Sequence, residues 1–111
     1  MKSYKSTDEY GTIYYKNYKG ELHNEQGPAA IVLNGSRYCF IRNKMHREDG
    51  PGVEWEDGTK HWWLNGKCHL EDGPAIEWED GSKHWFLNNI ILTEEEFKKA
   101  ILKKTLEDLI Q

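Results

Sequence analysis

Along residues 46–88 short apolar runs alternate with polar pairs in a pattern that returns every 23 positions. His23, His46 and His69 keep that step, as do Gly27-Pro28, Gly50-Pro51 and Gly73-Pro74, which use every proline in the chain. Gly35, Gly58 and Gly81 repeat with it, and residues 46–65 and 69–88 agree at 15 of 20 positions. Repetition at a fixed period of this length marks an array of supersecondary units. Within a unit, Val53-Glu54-Trp55-Glu56 and Thr59-Lys60-His61-Trp62-Trp63-Leu64 flank Asp57-Gly58, and Asn65-Gly66 follows. Asp-Gly and Asn-Gly between alternating runs predict tight hairpin turns of the kind that need positive φ at both central residues. Each unit should therefore supply two short antiparallel strands, joined into a β-meander, with a degenerate first turn around Gly11.

A two-residue turn at Asp57-Gly58 predicts the partners Glu56–Thr59, Trp55–Lys60, Glu54–His61 and Val53–Trp62. Alternation then gives a core face of Val53, Trp55, Trp62 and Leu64, their equivalents Ile76, Trp78, Trp85 and Leu87, and Ala30, Val32, Cys39 and Ile41. The opposite face carries a row of rings, Phe40, Trp63 and Phe86, beside Glu54–His61 and Glu77–His84 pairs, with Ile31, Leu33 and Tyr38. The repeat ends at Asn89. Thr93-Glu94-Glu95-Glu96 reads as a capping box, and Phe97, Ile101, Leu102, Leu106, Leu109 and Ile110 form an apolar stripe. The fold expected is mainly β, a single domain over 1–111: hairpin repeats over 10–90, and a helix over 93–110 that packs on the apolar face and caps the open end of the array.

Composition bears this out as a folding chain. Charged residues are 31%, yet five Trp, six Tyr and three Phe are too many large rings for a segment that buries nothing. Residues 1–45 hold seven Lys/Arg against four Asp/Glu, whereas residues 46–85 hold four against ten. An acidic middle cannot replace the counterions of a phosphate backbone, so nucleic acid is not an expected partner. The N-terminus lacks the apolar stretch of a secretory signal, no apolar run is long enough to span a bilayer, and two cysteines make no disulfide scaffold. A reducing, cytoplasmic setting is the expectation.

The 23-residue period, the second-strand ending Trp62-Trp63-Leu64-Asn65-Gly66 and the glycine opening the next strand, Gly50 or Gly73, resemble the MORN repeat. Gly-Pro stands where that family has Gly-x-Gly. The wording Trp-x-x-Asn-Gly-x-x-His-x-Glu-Asp-Gly-Pro is similar to a variant array of phages, large DNA viruses and some bacteria. The resemblance implies a β-meander scaffold that binds proteins or, in some members, lipid headgroups, and it implies no catalysis.

His23, His46 and His69 would lie roughly 10 Å apart on successive units, too far to share one metal ion, so they are expected to cap turns and no metal site is expected. Cys39 and Cys68 occupy non-equivalent repeat positions and read as core-filling thiols. Glu54–His61 and Glu77–His84 have the residue types of acid–base catalysis, but no nucleophile is tied to them and the pair is copied from unit to unit. No catalytic residue and no cofactor are expected. Phe40, Trp63 and Phe86, rimmed by Glu54, His61, Glu77 and His84, form either a contact surface for a protein partner or a row covered by Tyr4, Tyr10, Tyr14 and Tyr15. The first alternative describes a protein-binding module, by the resemblance a viral inhibitor or adaptor acting on a host protein in the host cytoplasm. Competing readings are a small-ligand binder that sequesters a nucleotide-type signal, and a lipid-headgroup module, the latter in conflict with a net charge of −4. An exposed edge strand could also join copies into a homo-oligomer.

Overall fold

The computed structural model describes residues 1–110. In chain order the strands begin with β1 (Tyr4–Thr7), β2 (Ile13–Lys16), β3 (Ala30–Ile31) and β4 (Arg37–Tyr38). They continue with β5 (Phe40–Ile41), β6 (Lys44–Met45), β7 (Val53–Glu54), β8 (Lys60–His61), β9 (Trp63–Leu64) and β10 (Lys67–Cys68). Last come β11 (Ile76–Glu77), β12 (Lys83–Leu87), β13 (Ile90–Leu92) and the helix α1 (Glu94–Leu109). The chain is mainly antiparallel β with one C-terminal helix. One sheet runs β1-β2-β3-β4-β7-β8-β11-β12-β13, and β5–β6 and β9–β10 are separate two-stranded hairpins.

The short hairpins turn as the sequence predicts. Arg42-Asn43, Asn65-Gly66 and Asn88-Asn89 all have positive φ, at 49° and 66°, 50° and 79°, and 50° and 70°. Each turn is tied to a histidine 19 residues earlier. The backbone N–H of Arg42 donates to His23 Nδ1 at 3.1 Å, that of Asn65 to His46 Nδ1 at 2.9 Å, and that of Asn88 to His69 Nδ1 at 2.9 Å. The other ring nitrogen of each faces the acid two residues on, Glu25, Glu48 or Glu71, at 3.4, 3.5 and 3.9 Å.

The Asp-Gly turns differ from expectation. Thr59 is the residue opposite Trp55: the Trp55 N–H donates to Thr59 O at 3.0 Å and the Gly58 N–H to Trp55 O at 3.0 Å. The loop is therefore three residues, Glu56-Asp57-Gly58, with positive φ only at Gly58 (97°). Asp57 uses its carboxylate locally, accepting from the Thr59 N–H at 2.8 Å, and Asp80 does the same for Ser82 at 2.8 Å. A three-residue loop ending in a left-handed glycine is the second-commonest way to close a hairpin. It moves the first strand of each unit by one residue. Val53 now opposes His61 and Glu54 opposes Lys60, and Ile76 and Glu77 stand in the same relation to His84 and Lys83. A slip of one residue sends the side chains of that strand to the other face.

The predicted core is corrected accordingly. Buried apolar side chains are small: Ala29, Ala30, Cys39, Val53, Cys68 and Ala75, with Phe97 from the helix. Trp55, Trp62, Leu64, Ile76, Trp85 and Leu87 are half-buried, and Trp78 is 42% exposed. The molecule measures 50 × 36 × 18 Å with a radius of gyration of 16.1 Å, against about 13 Å for a compact chain of this length. A slab this thin has one layer of sheet and little interior. The N-terminal segment adds to the sheet in its own plane, β1 pairing with β2 from Tyr4↔Lys16 to Thr7↔Ile13, instead of lying back across it, and Tyr4 and Tyr10 are exposed. In α1, Thr93 forms both bonds of the capping box with Glu96. Phe97 is buried and Ala100 and Ile101 are half-buried, where the helix meets β12 and β13. The remainder of the predicted stripe, Leu102, Leu106, Leu109 and Ile110, is exposed, so the helix does not cover an apolar face of the sheet.

Packing within a unit is close enough to leave a mark on the repeat. A methyl group at Gly52 would lie 3.1 Å from Trp63 Cβ. The equivalent positions hold Ala29 with Phe40 and Ala75 with Phe86, so the smaller backbone residue accompanies the larger ring. Gly52→Ala is expected to destabilise the chain by about 1–3 kcal/mol through overpacking, because the new methyl meets Trp63 Cβ and backbone N, which cannot swing aside as a ring tip can. Denaturant unfolding of the variant beside the wild type measures this; an unchanged midpoint would show that Trp63 gives way.

Candidate functional site

The corrected register builds two unlike faces from the same strands. On one, Ile31, Arg37, Glu54, Lys60, Glu77 and Lys83 follow one another across neighbouring strands. From Arg37 onward this is a ladder of alternating charge, in which every Glu has a cation on both sides, and Arg47 Nη1 reaches Glu54 at 3.6 Å. On the other face the corresponding row is Ala30, Tyr38, Val53, His61, Ile76 and His84.

Trp55 and Trp78, each two positions along from Val53 and Ile76, lie beside the histidines. Ring centroids are 6.3 Å apart for Tyr38–Trp55, 4.4 Å for Trp55–His61, 5.6 Å for His61–Trp78 and 6.2 Å for Trp78–His84. All four contacts are edge-to-face, with interplanar angles of 70–90°. The positive edge of one ring meets the negative face of the next, the geometry aromatic quadrupoles prefer. Trp78 Nε1–H also donates to His84 Nδ1 at 2.9 Å, fixing both rings. His61 sits between the two tryptophans; its Nε2 is buried and, among the described residues, has no hydrogen-bond partner. Burial pushes its pKa below the ordinary 6.5, so the ring is neutral near pH 7.

Of the residues expected to form a contact surface, His61 and His84 lie on this face. Phe86 follows His84 by two positions in the continuous strand β12 and so shares its side of the sheet. Phe40 and Trp63 line one shallow depression with Lys44, Met45, Asn65 and Gly66. Glu54 and Glu77 do not belong: the three-residue loop puts them on the charged face, opposite Lys60 and Lys83, and the expected Glu54–His61 and Glu77–His84 pairs do not form. Trp55 and Trp78, expected in the core, take their place. The turn dipeptide carries no signal for this: Asn34-Gly35 closes the same three-residue loop, Asn34 Oδ1 accepting from the Ser36 N–H at 2.9 Å, whereas Asn65-Gly66 closes a two-residue one.

The remaining candidates have structural explanations. The three repeated histidines hold turns through Nδ1. The described residues contain no group of three or more His, Cys, Asp or Glu placed to hold a metal ion. Burial raises the pKa of Cys39 and pushes that of Cys68 up to about 11, which keeps Cys68 a protonated thiol at neutral pH. Among the described residues no helix is long and apolar enough to cross a membrane. Comparison with protein-family models, with curated proteins and with solved structures finds no match to this chain.

His61 gives the face a pH dependence. The unfolded chain takes up a proton at His61 near pH 6.5, and the folded chain only at lower pH. The folded state is therefore favoured in full above about pH 6.5 and loses stability as pH falls through that value toward the lower folded pKa. Thermal unfolding of the wild type should weaken more steeply between about pH 7 and pH 5 than that of His61→Gln. Parallel curves would show that His61 titrates alike in both states.

Proposed function

We propose that this chain is a non-enzymatic protein-binding module whose contact surface is the aromatic–histidine face, centred on Trp55, His61, Trp78 and His84 and extending to Phe40, Trp63 and Phe86. One observation carries the reading. Trp78 is 42% exposed while held by edge contacts to two histidines and a hydrogen bond to one of them. A large amphipathic ring, rigid before any partner arrives, loses little entropy on binding and is the kind of residue that dominates interface energy. The resemblance to the MORN-like arrays of phages and large DNA viruses supports the same class of function, a β-repeat scaffold acting as an inhibitor or adaptor on a host protein. The other face supports it by contrast, since it carries a row of charges whose desolvation an interface would have to offset.

The test is affinity capture from host lysate, with wild type beside Trp78→Ala and a folding check on both. A protein retained by the wild type should be lost or weakened by about 2 kcal/mol, roughly 30-fold in Kd, in the variant. Equal retention by two folded proteins would remove this face as the contact surface. Empty beads would favour a small ligand, testable by ligand-dependent thermal shift.

A further inference from the structure

The helix α1 is apolar on two sides. Phe97, Ala100 and Ile101 turn toward β12 and β13, and Lys104 on the same side bonds Glu71. At 100° per residue, Leu102, Leu106, Leu109 and Ile110 fall on the far side, where Leu109 is 75% and Ile110 84% exposed. The strand that leads into the helix, β13, is an outer strand of the sheet and also exposes Ile90 and Ile91. The opposite outer strand, β1, is Tyr-Lys-Ser-Thr, with a lysine of the kind that discourages edge pairing. This end of the molecule thus exposes Ile90, Ile91 and four aliphatic side chains of α1.

The charges of α1 say what covers it. Its last turn contains Glu107 and Asp108 and no basic residue, although the carbonyl end of a helix favours cations. Among the described residues Lys103, Glu107 and Asp108 have no ion-pair partner, and Lys98 and Lys99 make only exposed bridges to Glu94 and Glu95 one turn away, at 3.5 and 3.6 Å. We infer that a second copy of this chain docks here, its helix antiparallel to the first. With Leu102 set against Leu106 of the second copy, helical geometry brings Glu107 of the second copy between Lys99 and Lys103, which lie on the same flank of the helix. A two-fold axis repeats every one of these contacts, so both acidic helix ends gain lysines at once. A parallel pairing would instead put Glu107 of the two copies at the same height on opposite flanks, with no lysine of the second copy beside either. The surface is distinct from the aromatic–histidine face, so the inference stands or falls apart from the proposed function.

Sedimentation equilibrium of the full chain over a range of concentrations tests it. The wild-type mass should rise with concentration from 13.1 kDa toward twice that value. Leu106→Glu and, separately, Glu107→Lys should each hold the chain at monomer mass, with thermal unfolding at low concentration unchanged because both side chains are exposed in the monomer. Lys99→Glu/Lys103→Glu/Glu107→Lys, which reverses both sides of the contact, should restore the dimer. Should Leu106→Glu misfold, the charge pair alone decides. A wild type that stays monomeric throughout, a dimer that survives Glu107→Lys, or a triple variant that fails to reassociate would overturn the inference.

Discussion

The histidine bond to the tight turn is the interaction on which the array depends. A single layer 18 Å thick cannot hold its strands in place by burying side chains between layers. Each unit instead closes on itself through one imidazole, whose Nδ1 accepts the N–H of the first left-handed residue 19 positions later. That N–H has no partner within its own two-residue turn. The bond satisfies it and at the same time fixes where β5–β6, β9–β10 and the β12–β13 turn sit relative to the preceding loop. His23 is fully buried, so the first of these bonds is also shielded from water.

Between units a second set of bonds does the joining. Ser36 Oγ accepts from the Glu56 N–H at 3.1 Å and Thr59 Oγ1 from the Glu79 N–H at 3.2 Å, each linking one hairpin loop to the next. Backbone bonds from Gly66 to Met45 and from Asn89 to Cys68 tie the ends of neighbouring short hairpins, at 2.8 and 2.9 Å. With these links at both ends of the strands, two-residue ladders suffice in the middle. The same economy leaves the faces free, one for alternating charge and the other for the rings of Trp55, His61, Trp78 and His84.

Much of this was legible in the chain. The period, the Asn-Gly turns, the role of the histidines in capping turns and the helix start at Thr93 all follow from local rules, because each rests on residues close in sequence. Loop length at Asp57-Gly58 was not, since Asp-Gly closes both two- and three-residue hairpins and only the finished ladder chooses. That one ambiguity carried Glu54 and Glu77 onto the wrong face and hid Trp55 and Trp78 among the core residues. The helix was misjudged for a different reason: a broad apolar stripe does not say which of its sides meets the sheet, and here Phe97 and Ile101 take that place while Leu102, Leu106 and Leu109 do not.

The pairing of Gly52 with Trp63, beside Ala75 with Phe86, makes the unit as a whole the thing that can be inherited. Copying or deleting 23 consecutive residues carries both members of the pair together and leaves every contact matched. Exchange of shorter pieces between units would set alanine against tryptophan. Growth or loss of entire modules is thus the easy route for such a chain to change, and each step alters the number of histidines and tryptophans in the ladder while leaving its spacing untouched.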